Sequence, residues 1–146
     1  RKEKNESISE FIERLLEGEK DLPLEEKNVI LEQKLKETRE KIEKYDIFDS
    51  QVWLRVVNFL RAVLNRCWQD SMDFPFPEIF IDPSDGSYDL HWDAEDFELL
   101  IIMPPQRDEL VHISGEKIGS PKFEIEARIN FEFITEWIID WLRKIK

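Results

Sequence analysis

The run FIDPSDGSYDLHWDAEDFELLIIMPP, from Phe80 to Pro105, carries seven carboxylates and one histidine and has no lysine or arginine. Those residue types suit two kinds of chemistry. A carboxylate beside an imidazole can relay a proton, and two carboxylates with an imidazole can hold a divalent cation. The candidates for either role are Glu78, His91 and Glu98, which strand alternation places on one face. Three ligands in a straight row on a flat sheet converge poorly on one ion, so no metal and no other cofactor is expected. Asp82, Asp85, Asp93 and Asp96 border tight loops, where Asp bonds nearby backbone amides, and turn formation accounts for them. DPSDG has half the look of a calcium loop, but its Asp spacing and missing terminal Glu depart from the EF-hand pattern. Ser114 follows His112 by two on one strand, about 7 Å away and beyond nucleophile-to-base contact. The chain has no phosphate-cradling glycine loop, GxSxG elbow, HExxH motif or cysteine pair.

These side chains need a sheet to hold them. From Glu78 the hydrophobic period is two, which predicts strands at about 78–82, 87–92, 97–103, 110–115 and 122–129. A loop over Pro83 to Gly86 pairs Ile81 with Tyr88 and Ile79 with Leu90. A loop over Asp93 to Asp96 pairs Trp92 with Phe97 and Leu90 with Leu99, and these apolar residues then share a face. On the opposite face Glu78 falls across from His91, and His91 across from Glu98. His112, opposite Ile102, would lie roughly 16 Å from His91, too far to share an ion. Phe80, Leu100 and Ile102 share the polar face with Asp89, His91 and Glu98. Apolar residues ringed by carboxylates form a candidate partner-binding surface, made of these six residues, with attraction for Lys and Arg.

Helices are predicted on both sides of the meander. Ser7 and Glu10 form a capping box, followed by Ile8, Phe11, Ile12, Leu15 and Leu16 at helical spacing up to Gly18. After Pro23, positions 24, 28, 31, 35, 38, 42 and 45 give a narrow seam over a second helix of about 22 residues. The two are expected to form a peripheral hairpin over residues 1–46, available to cover the polar sheet face. Asp49 caps VWLRVVNFLRAVLNRCW, a central helix apolar on almost every side, in which Cys67 is inert core. Asn130 opens a last amphipathic helix with Phe131, Ile134, Trp137, Ile138, Trp141, Leu142 and Ile145 on one face. The class is α+β in a single domain over 1–146. Its parts are N-terminal helices, a four- to five-stranded antiparallel meander, and a C-terminal amphipathic helix packed on the sheet.

The formal net charge of −12 is concentrated in the middle of the chain. Between Arg66 and Arg107 there are ten acidic residues and no basic one. Such a surface repels phosphate, so direct nucleic-acid binding is not expected. No window approaches 18 consecutive apolar residues, so the expectation is no membrane segment and a cytoplasmic location. The start at Arg1, without Met, reads as a trimmed end and not as the basic flank of a membrane anchor. A Glu- and Lys-rich composition with 37% charged residues points to a thermophilic, archaeal source. PEIFIDPSDGSYDLHW followed by FELLII resembles a pattern of small uncharacterised prokaryotic proteins: helix, strand, Pro-x-x-Asp-Gly turn, strand ending in Trp. The resemblance covers about 30 residues and implies the α+β fold and no activity. The functional expectation is a non-enzymatic interaction module with a protein partner, basic in character, or with a second copy of itself. The alternative is a small hydrolase or metal-dependent enzyme centred on Glu78, His91 and Glu98. An acidic mimic of nucleic acid fits less well, because the acids cluster at turns.

Overall fold

A computed structural model describes Ile8 and residues 22–145. The first predicted helix, Ser7 to Gly18, lies outside the described residues apart from Ile8. Helix α1 spans Leu24–Ile42 and α2 spans Ser50–Gln69. Strands β1 (Glu78–Ile81), β2 (Tyr88–Asp93), β3 (Phe97–Met103), β4 (Val111–Lys117) and β5 (Ser120–Ile129) follow, and α3 (Ile134–Ile145) comes last. The five strands form one antiparallel sheet in sequence order, with β1 and β5 at its edges. The arrangement is α+β.

Local chemistry explains where α2 begins. The Asp49 carboxylate accepts from the amides of Gln51 and Val52 at 2.8 and 3.4 Å, satisfying donors that have no partner within the helix. The Tyr88 hydroxyl then reaches from β2 to both the amide and the carbonyl of the same Asp49, at 3.0 and 3.1 Å. Nine residues of α2 are buried, from Val52 to Cys67, as its nearly all-round apolar pattern predicts.

α1 differs from expectation in its role. It was expected to belong to a peripheral pair, yet Leu31, Leu35 and Ile42 are buried in the same core cluster as the sheet. Its seam packs on α2: the Asn28 side-chain amide donates to Asn65 Oδ1 at 2.9 Å, and Arg61 makes two bonds to Glu32 at 2.7 and 2.8 Å. A polar seam residue thus finds a polar partner, while Leu24 and Tyr45 at the seam ends are exposed.

The inner face of the sheet carries Tyr88, Leu90, Trp92, Phe97, Leu99, Ile101, Met103, Val111 and Ile113, all fully buried against α2 and α3. Phe74, in the break that precedes β1, stacks on Trp92 with centroids 4.8 Å apart, and the Trp92 indole N–H donates to the Pro75 carbonyl. α3 buries Ile134, Ile138, Ile139, Trp141, Leu142 and Ile145, while Phe131 forms a preceding 3-10 turn with Glu132 and Phe133. Trp141 lies over Gly115, where a Cβ would stand 3.2 Å from its ring and 3.0 Å from Leu99 Cδ1.

Candidate functional site

The outer face of the sheet is built by strict alternation with the core. β1 pairs with β2 as expected, Glu78 across from His91 and Ile81 across from Tyr88. The turn between them is set by its own residues. Asp82 accepts from the amide and hydroxyl of Ser84, Asp85 does the same for Ser87, and Gly86 takes the positive φ of 78° that only glycine adopts freely.

The β2–β3 register is two residues away from the expected one. His91 stands across from Leu100, Trp92 across from Leu99, and Asp93 across from Glu98. The Ala94 amide bonds the Phe97 carbonyl at 3.0 Å, so the hairpin closes on Glu95 and Asp96 alone instead of on four residues. A shift of two keeps every side chain on its face, so the core is unaffected. It also changes what is opposite what. Glu98 is diagonal to His91, and its Oε2 still meets His91 Nε2 at 2.9 Å. His112 is across from Ile102 as expected. With the new register it lies about 12 Å from His91, two strand spacings over and two residues along, not roughly 16 Å. Its own partner is Glu126, at 3.2 Å.

Two rows result. One runs Phe80, Asp89, Ile102, His112 and Arg128; the next runs Glu78, His91, Leu100, Ser114 and Glu126. All six expected partner-binding residues therefore share one face, and the core helices lie on the other. Phe80 is 53% exposed, while Leu100 and Ile102 are half-buried.

Asp89 is the site's most unusual group. Phe80 and Ile102 stand across from it on the two neighbouring strands. Its Oδ1 is out of solvent and has no hydrogen-bond partner among the described residues. Burial above all, and then the charges of Asp82 and Asp85, raise its pKa above the ordinary value of 3.8. Sequence reasoning placed Asp89 on this face but not its desolvation, which depends on which apolar side chains stand opposite. Asp82 itself is held below the ordinary carboxylate range by the Ser84 hydroxyl and amide.

Beside this patch is a depression of about 360 Å³, lined by His91, Glu98, Ser114, Glu116 and Glu126 among others. Ser114, the small outward-facing residue between Leu100 and Glu126, leaves the space. Glu78 borders a different hollow, of about 640 Å³, between β1 and the end of α1 with Tyr45, Ile79 and Phe80. The structure thus brings His91 and Glu98 into direct contact, while Glu78, across from His91 in the same row, makes no hydrogen bond to it. Among the described residues no three His, Cys, Asp or Glu side chains are grouped as a cation would require. No described helix is long and apolar enough to cross a membrane.

No protein-family model matches the chain, and neither the curated proteins nor the solved structures contain a significant match.

Proposed function

We propose that this protein is a non-enzymatic interaction module whose outer sheet face receives a basic segment of a partner protein. The observation that supports it is the Asp89 carboxylate, desolvated between Phe80 and Ile102 with Oδ1 unsatisfied. A lysine or arginine supplied by a partner would give the solvent-facing side of this carboxylate a charge-assisted donor, while its aliphatic stem covers Phe80 and Ile102. His91, Glu98 and Leu100 extend the same combination of apolar centre and acidic rim. Nucleic acid is disfavoured as a partner by the same charges.

The test is capture from a lysate of the source organism on immobilised wild-type, Asp89→Asn and Phe80→Ala chains, at low and high salt. A basic protein retained by the wild type, lost from both variants and weakened by salt supports the proposal. Retention unchanged by both substitutions refutes it. The alternative, hydrolysis, draws on the His91–Glu98 contact beside the 360 Å³ depression. Turnover of a model ester or phosphoester that disappears in His91→Gln would favour it instead.

A further inference from the structure

We infer that β5 is a self-association edge, and that two copies of the chain join there about a two-fold axis at Glu126 into one continuous sheet. This surface is separate from the Asp89 patch, and the inference does not depend on the reading of that patch.

The direction of the free backbone groups follows from bonds within the sheet. Antiparallel ladders alternate bonded and non-bonded pairs. The Ala94 amide bonds the Phe97 carbonyl, and the Ile118 amide bonds the Asp96 carbonyl, which fixes the alternation on both sides of β3. Carried across β4, it turns the amides and carbonyls of Val111, Ile113 and Gly115 toward Ile129, Ala127 and Ile125. Those of Glu124, Glu126 and Arg128 then face away from the sheet, ready for another strand. Among the described residues the longest strand, of ten residues, is left open in this way, whereas the other edge, β1, has four.

Charge selects a second copy as the occupant. An antiparallel copy centred on Ile125 would set Glu124 against Glu126 and Lys122 against Arg128, like against like. One centred on Glu124 would need Lys122 and Pro121 in regular pairing, where the register of β5 on β4 shifts. Centred on Ala127, Glu126 would meet Arg128 twice, but only residues 125–129 of β5 could pair; centred on Glu126, residues 123–129 pair, and Glu124 meets Arg128 twice. Neither Glu124 nor Arg128 has an ion-pair partner among the described residues. The one like-charge meeting, Glu126 with Glu126, falls on a carboxylate that already has His112 at 3.2 Å. Ile118 and Phe133, 51% and 57% exposed, stand at opposite ends of β5, so the axis brings Ile118 of one copy to the end occupied by Phe133 of the other. Charged residues on an edge ordinarily keep it single. The pattern Glu-x-Glu-x-Arg instead complements itself.

Sedimentation equilibrium of the full chain in about 0.15 M salt is the test. The wild type should dimerise. Glu124→Arg and Arg128→Glu should each weaken the dimer about tenfold or more, because two attractive cross-strand pairs become repulsive. The double variant should recover the wild-type affinity, and Glu126→Gln should tighten it about threefold to tenfold. In hydrogen exchange, the amides of Glu124, Glu126 and Arg128 should gain protection with protein concentration. A wild type monomeric at all accessible concentrations would overturn the inference. So would a dimer indifferent to the single charge reversals, or a double variant no better than either single one.

Discussion

Replacing Asp89 by Asn removes a charge while keeping the side chain's shape, and the expected result is a more stable protein. A buried polar atom without a partner costs about 1–3 kcal/mol. Much of the Asp89 side chain still meets solvent, which screens the charge, so the electrostatic share relieved by the substitution is about 0.5–1 kcal/mol. For a domain of this size that corresponds to a rise of roughly 1–4 °C in Tm. The pH dependence has a definite sign. Because the folded-state pKa of Asp89 is raised above 3.8, the native state holds its proton more tightly than the unfolded chain does. The wild type's stability from this group is fully present below the unfolded pKa and is lost as pH rises through the folded one. The advantage of Asp89→Asn should accordingly be absent near pH 3, grow through the window above 3.8, and be complete at pH 7. Urea unfolding of both proteins at several pH values measures this directly. A variant that is less stable at pH 7, or whose advantage is the same at pH 3, would refute the desolvated-carboxylate reasoning.

Gly115→Ala should destabilise the fold by about 1–3 kcal/mol, since the new methyl group meets Leu99, the Glu98 carbonyl and the Trp141 ring at 3.0–3.2 Å. Chemical denaturation checks it, and a neutral result would mean that α3 shifts freely on the sheet. Asp49→Ala should cost about 1 kcal/mol through the lost N-cap, with Asp49→Asn recovering most of it.

Legibility from sequence followed the range over which each feature is determined. The β1–β2 register was readable because its turn is specified by adjacent residues, the Asx bonds of Asp82 and Asp85 and the positive φ of Gly86. The β2–β3 register was not, because DAED accommodates two loop lengths that keep every side chain on its face. What separates them lies outside the hairpin: Phe97 packs between Phe74 and Trp141, and nothing in the alternation specifies that. The seam of α1 was visible as a pattern, while its partner was not, since α2 is apolar in too many directions to announce which side receives it. Membership of the outer face was legible for all six proposed partner-binding residues. Desolvation of Asp89 was not, because it is a property of its cross-strand neighbours.

The unbroken strand order has a consequence for how the chain reaches this structure. Each strand pairs with the next one in sequence, so the sheet can zip up through short loop closures that cost little chain entropy. The helices are a different case. Arg66 on α2 bonds Glu136 on α3 across 70 residues, and Arg143 reaches back across 73 to Asp70. Without a zipped sheet between them, closing those long loops would be slow; with it, the two helices are delivered to the same face already close together. Folding is therefore expected to place the docking of α3 on α2 late. Substitutions in that seam should then speed unfolding more than they slow refolding.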